Sequence, residues 1–180
     1  MSTADQAAIV LYTMQSLKNE GSWCGETHVQ KAFYLCQEVT GVPSNFKFIL
    51  YKHGPYSFEL SGHLQELIAD DLISVLPRVP YGPTLSVTDE GQLLADKVSG
   101  NSEVSQHITF MSRKLGRKDV ADLEKLATAV YVNRKYYPDT PIEKRVEILT
   151  SLKPHLTIEE AREAFTEAEE IEVEARHTVM

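Results

Sequence analysis

The chain has 180 residues, a formal net charge of −8, 42% hydrophobic and 24% charged residues. That is enough apolar sequence for one good core, and it excludes bulk disorder and any collagen-like or mucin-like character. Two cysteines exclude a disulfide framework and fit a reducing compartment, and there is neither a long apolar run nor a basic start leading into an apolar stretch, so a cytoplasmic protein with no membrane partner is expected.

Taken in chain order, Ile9, Val10, Met14 and Leu17 form a helical stripe over Asp5–Lys18 that Gly21 ends. Thr27 and Gln30 have capping-box spacing, which predicts a second helix from Thr27 to about Thr40, with Val29, Phe33, Cys36 and Val39 on its buried face. A strand over Phe46–Tyr51 follows, then a Gly-Pro turn at His53-Gly54-Pro55-Tyr56. Ser57 then caps a third helix with Leu60, Leu64, Leu67 and Ile68 inward. Leu72–Leu76 and Leu85–Val87 read as strands joined by the Arg78–Pro83 loop. Asp119 caps a helix that Tyr136-Tyr137-Pro138 closes. Thr140-Pro141-Ile142-Glu143 starts another, and Thr157-Ile158-Glu159-Glu160 starts a Glu-rich final helix with Ile158, Ala161, Phe165, Ala168 and Ile171 inward.

Helix, strand, helix, strand, loop, strand is the order of a winged helix. The expected fold is α+β, mainly α: a winged-helix-like domain with a small β wing over residues 1–100, and a helical extension over 101–180 packed on it. Winged helices mostly bind rather than catalyse, although a fold by itself does not assign a function.

Charge separates the candidate surfaces. Residues 101–136 carry 7 Lys/Arg against 4 Asp/Glu, whereas 1–100 carry 6 against 11 and 137–180 carry 5 against 11. The helix in the recognition-helix position has Glu59, His63, Gln65, Glu66 and Asp70 as its outward residues and no Lys or Arg. Gln65 and His63 are its only candidates for reading base edges, so a protein-contacting or solvated face is the stronger reading, with Glu59, His63, Gln65 and Glu66 as partner-binding residues. The best phosphate-facing features are Arg113, Lys114, Arg117 and Lys118, with Arg78 and Tyr81 in the wing. That basic run has three other readings: a contact for an acidic partner, a solvated loop, or a loop neutralised internally by the acidic final helix.

Cys24, His28 and Cys36 lack zinc-site spacing, and no phosphate loop, nucleophile elbow or metalloprotease motif occurs, so no catalytic residues, metal or cofactor are expected. The Glu-rich final helix either packs on its own domain, pairs with a second copy to make a homodimer, or docks in a partner's groove.

Val29-Gln30-Lys31-Ala32-Phe33-Tyr34-Leu35, followed by Phe48-Ile49-Leu50-Tyr51-Lys52-His53-Gly54-Pro55-Tyr56-Ser57, resembles the pattern of YwgA-like bacterial proteins, in which a Lys-x-x-Tyr helix precedes a strand and a Gly-Pro-Tyr-Ser helix entry. It is more distantly similar to the Panacea (SocA-like) antitoxin domain, which shares the Gly-Pro turn but usually begins with a Lys-Leu-x-Lys-Leu motif that this chain lacks. The resemblance covers roughly residues 5–100. It implies a winged-helix-like, non-enzymatic adaptor in a bacterial antitoxin or phage-defence setting, with a toxin or defence effector as protein partner. The alternative is a sequence-specific DNA-binding regulator that uses the wing and the basic loop.

Overall fold

A computed structural model describes residues 2–99, 103–136 and 140–178. Helix α1 (Thr3–Asn19) starts two residues before the predicted Asp5. Asp5 is instead the third helical residue of a capping box, its carboxylate accepting from the Ser2 N–H while the Ser2 hydroxyl accepts from the Asp5 N–H. Helix α2 (Glu26–Thr40) is N-capped by Gly25 and makes no side-chain cap bond, so the expected Thr27–Gln30 capping box does not form. Gln30 points into the interior because α2 is the central helix. Every residue from His28 to Cys36 is buried, polar ones included, so α2 is covered on all sides rather than along one stripe. Gly41 ends it in the left-handed region at φ 70°.

The Gly-Pro segment differs most from expectation. Strands β1 (Ile49–Tyr51) and β2 (Gly54–Tyr56) pair antiparallel, Ile49 facing Tyr56, Leu50 facing Pro55 and Tyr51 facing Gly54, around a two-residue turn at Lys52-His53. What reads as a turn is the second strand of a hairpin. Pro55 is tolerated because Leu50 and Pro55 form the non-hydrogen-bonded pair next to the turn pair, so its missing N–H removes no ladder bond. Helix α3 (Phe58–Ala69) starts at the Ser57 cap, whose hydroxyl accepts from the Leu60 N–H, and buries Leu60, His63, Leu64 and Leu67. Strands β3 (Ile73–Leu76) and β4 (Thr84–Val87) form a second antiparallel pair, the wing-like hairpin, and the Leu85 N–H donates to the Cys24 carbonyl to tie it to the link between α1 and α2.

Two helices follow that periodicity alone had not delimited, α4 (Asp89–Ser99) and α5 (Glu103–Leu115). Helix α6 (Val120–Tyr131) begins at the predicted cap, where the Asp119 carboxylate accepts from the Asp122 N–H, and runs into a π-helical turn at Val132–Tyr136. Of its predicted closing residues, Tyr137 and Pro138 lie outside the described residues. Helix α7 (Ile142–Leu152) starts one residue later than predicted, from Pro141, and Thr140 makes no cap bond. Helix α8 (Ile158–Thr178) has the predicted Thr157–Glu160 capping box in full. Its Ala161, Phe165, Ala168 and Ile171 are buried, but Ile158 is 56% exposed because the first turn lies ahead of the packed stripe.

The main core joins α1, α2 and α3 to α4, α5, α6 and the far end of α8. A second cluster gathers Ala129, Val132, Val146, Leu149 and Phe165 between α6, α7 and α8. Each fully buried large apolar side chain contributes on the order of 1.5–3 kcal/mol, so these clusters dominate the stability of the chain. Cys24 and Cys36 are buried free thiols. Among the described residues, no helix is long and apolar enough to cross a membrane.

Candidate functional site

The most elaborately supported feature is the small β1–β2 hairpin. Three polar side chains of α2 reach it from below. The Gln30 amide donates to the Ser57 carbonyl and accepts from the Ser57 N–H, both at 2.9 Å. The Lys31 ammonium, on a side chain 1% exposed, donates to the Pro55 carbonyl at 3.0 Å. The Glu26 carboxylate accepts from the Tyr56 hydroxyl at 3.1 Å and the Ser61 hydroxyl at 2.8 Å. From the other side, Lys153, 5% exposed, donates to the Lys52 carbonyl at 3.0 Å and pairs closely with Glu124. The second oxygen of Glu124 lies 3.4 Å from His53 Nδ1.

Two buried ammonium groups serving backbone carbonyls are costly, because each loses its hydration. Burial pulls Lys31 down from its ordinary 10.5 to about 8, with Glu124 opposing the shift and Lys153 adding to it. What this network achieves is a rigid hairpin. Gly54 completes it: at φ +85° it occupies the left-handed region, and a Cβ there would meet Thr128 Oγ1 at 2.9 Å. Gly54→Ala is expected to cost about 1–3 kcal/mol in denaturant unfolding, from backbone strain and the clash. Gly62→Ala, with nothing within 4 Å and an ordinary helical backbone, should be neutral or stabilising by up to about 1 kcal/mol. Equal losses at both positions would sink this account.

The upper face of the hairpin is aromatic and open. Tyr51, Tyr56 and Phe58 form a ring triangle with centroids 5.1, 5.7 and 5.8 Å apart. Tyr51 is 56% and Phe58 60% exposed, and Ile49, on the same face as Tyr51, is also exposed. Strand alternation puts Ile49, Tyr51 and Tyr56 on one side, and the α3 entry adds Phe58. Rigid aromatic rings that are pre-placed and solvent-facing have the composition of an interface hot spot. The signal in the sequence for this patch is the i, i+2 alternation of Ile49 and Tyr51 along one strand, with Tyr56 facing Ile49 across the turn.

The predicted partner-binding residues of α3 separate. Glu59 and Gln65 are exposed, and the Glu59 carboxylate accepts from the Lys47 N–H at 3.0 Å. The Glu66 side chain is 72% exposed. His63 does not face outward: it is 8% exposed, its ring lies 6.0 Å from Phe46, and its Nδ1 is 3.2 Å from Glu66 Oε2. Residues 60, 63, 64 and 67 are i, i+3, i+4 and i+7, so position 63 belongs to the buried stripe.

The predicted phosphate-facing residues also divide. Arg113 and Lys114 are in the last turn of α5 rather than in a loop, where cations complement the helix carbonyl end. Lys114 pairs with Glu174 and Lys118 with Glu167, both on α8, and Arg113 lies 3.9 Å from Glu20. The final helix therefore neutralises part of the basic run, the internal reading among those the sequence left open. Arg117 is exposed and packs its stem on Gly21. Arg78 is stacked between Trp23 and Tyr81, with its guanidinium carbon 4.6 and 4.9 Å from the two ring centroids. Arg78, Tyr81, Arg117 and Lys118 meet around an open groove of about 480 Å³ with Trp23 on its wall. The loop between β3 and β4 and the basic run, distant in sequence, thus share one surface. No protein-family model matches this chain, and no curated protein does either.

Proposed function

We propose that the protein is a non-enzymatic winged-helix regulatory or adaptor protein, antitoxin-like or phage-defence-associated, which acts by docking the Ile49/Tyr51/Tyr56/Phe58 face on another protein. The observation that carries this reading is the exposed aromatic triangle on a hairpin that buried charges hold rigid. Preorganisation of this kind reduces the ordering cost of association. The acidic groups nearby, Glu26 beneath Tyr56 and Glu59 beside Phe58, favour a partner with an apolar groove and a cationic rim. The winged-helix part of the reading rests on the element order α2, β1, β2, α3, β3, loop, β4, in which an extra strand, β2, stands between β1 and α3, and on the likeness to YwgA-like and Panacea sequences.

The test is to isolate the protein from its own cells after nuclease treatment, identify the stoichiometric partner, and titrate that partner against variants. Tyr51→Ala together with Phe58→Ala is expected to weaken binding by about 30-fold or more, as removal of a hot-spot contact worth about 2 kcal/mol would. Arg113→Ala with Arg117→Ala should leave it within a few-fold. A partner that ignores the aromatic variant overturns the proposal.

A second reading, a sequence-specific DNA-binding regulator, is favoured by the Trp23/Arg78/Tyr81/Arg117 groove, which joins wing and basic run. It requires affinity that falls steeply with salt, and a slope reduced by about one for each neutralised phosphate contact at Arg78 or Arg117.

A further inference from the structure

Beside the aromatic face, and sharing Phe58 with it, a groove of about 430 Å³ runs along α3, lined by Glu59, Gly62, His63 and Glu66 and by Phe46. Residues 59, 62, 63 and 66 are i, i+3, i+4 and i+7, one stripe of the helix. Gly62 leaves the stripe open at its middle, since a Cβ there would meet nothing within 4 Å. We propose that this groove receives an arginine side chain of the protein that docks on the aromatic face, an assignment that rests on that reading of the face and gives its partner a specific chemistry.

The groove lacks a donor. His63 Nδ1 lies 3.2 Å from Glu66 Oε2. An ionised carboxylate only accepts, so Nδ1 of the neutral ring carries the proton in that contact and Nε2 is left as an acceptor. Nε2 is buried, on a side chain 9% exposed, and no donor reaches it among the described residues. A buried acceptor without a donor is costly. The carboxylates of Glu59 and Glu66 add acceptors on either side of Gly62, Glu59 taking the Lys47 N–H at 3.0 Å. No Lys or Arg is among the residues that line the groove. Lys47 meets Glu59 through its main chain, and its ammonium is paired with no carboxylate among the described residues. Helix α1 borders the groove at Thr3 and Gln6. Its positive start is answered by Asp5 in the first turn, on which the amino-terminal charge also acts, and the Gln6 amide donates to the Ser44 carbonyl at 2.8 Å. The lining therefore holds two carboxylates, an unpartnered imidazole acceptor and the exposed ring of Phe58, with no cation. A guanidinium has five N–H donors and no acceptor, spreads them in a plane, and stacks on aromatic rings. An ammonium gathers its donors at one point, which suits acceptors set two helical turns apart less well.

The experiment follows the amide and imidazole NMR signals of the full chain during titration with N-acetylarginine amide, with the citrulline and lysine amides as comparisons at constant ionic strength. The arginine amide is expected to bind saturably, with a Kd of about 5 mM or tighter, and to move the Gly62 amide and the His63 imidazole. Citrulline, which has a similar shape without the charge, and lysine should each bind at least about fivefold more weakly. Glu59→Gln with Glu66→Gln should weaken the arginine amide about tenfold. Gly62→Met fills a space open in the folded chain and should abolish binding, while Tyr51→Ala should leave it unchanged. The proposal is overturned by an absence of saturable shifts at Gly62 and His63, by citrulline or lysine binding equally well, or by binding that the Glu59/Glu66 variant leaves intact. An arginine amide that does not bind, beside a Tyr51/Phe58 variant that still loses the protein partner, removes the arginine site and spares the docking face. A partner indifferent to the Tyr51/Phe58 variant removes both.

Discussion

Glu124→Leu is expected to destabilise the folded chain by about 3–5 kcal/mol, the range for breaking a buried ion pair and leaving its partner charged. Here Lys153, at 5% exposure, is stranded, and Lys31, at 1%, loses one of the two carboxylates that act on it, Glu26 being the other. The loss should extend to the hairpin, because the two ammonium groups hold the Pro55 and Lys52 carbonyls. Adding Lys153→Met to Glu124→Leu should recover part of the deficit, since it removes the stranded charge. A double-mutant cycle in urea would report the coupling. The deficit should also shrink as pH rises through the titration of Lys31, because a neutral amine needs no counter-ion. If Glu124→Leu costs under about 1 kcal/mol, the pair behaves as a solvated surface bridge and the account of the hairpin fails.

Stability is expected to fall steeply above pH 9. Burial pushes the thiols of Cys24 and Cys36 up from an ordinary 9.0 to about 12. Between those values the unfolded chain has released both protons while the folded chain still holds them, so the folded state loses ground as pH rises. The slope is about 1.4 kcal/mol per pH unit for each thiol, or about 4 kcal/mol each across the window. Lys31 acts in the opposite sense. Its folded value of about 8 lies below the ordinary 10.5, so it adds stability as pH rises between the two. One group gains while two lose, and the gain ends where Lys31 is neutral in both states. Tyr34, also raised by burial, adds to the loss above its ordinary 10.0. The thiols therefore win above pH 9. Urea unfolding of the reduced protein from pH 8 to 11.5 measures the slope, and Cys24→Ala with Cys36→Ala should flatten it. An unchanged slope in that variant would assign the alkaline loss to other groups.

Much of the local structure was legible in the sequence because local signals were strong there. Ser57, Asp119 and Thr157 cap helices where their side chains predict it, and Leu60, Leu64 and Leu67, like Ala161, Phe165 and Ala168, turn inward as their spacing requires. The failures come where a tertiary neighbour competes for the same side chain. Thr27 and Gln30 have capping-box spacing, but Gln30 bonds both backbone groups of Ser57 and the helix starts at Gly25 without them. His63 has outward-looking chemistry but completes an i, i+3, i+4, i+7 stripe beside Phe46. The second strand of the hairpin was hidden in a Gly-Pro pair that has the composition of a turn.

The sequence by itself determined the α+β, mainly α class, the acidic character of α3, and the presence of a basic run and of an acidic final helix, since these depend on composition and periodicity within single segments. Only the tertiary structure decided that α2 is buried on every side, that Lys31 and Lys153, more than a hundred residues apart in numbering, hold carbonyls of the same hairpin, and that Tyr51 and Phe58 stay in solvent. The reason is physical. A helix buries only what its neighbours cover, and a buried charge is tolerated only where another segment brings its partner, and neither condition is written in the spacing of residues along one element.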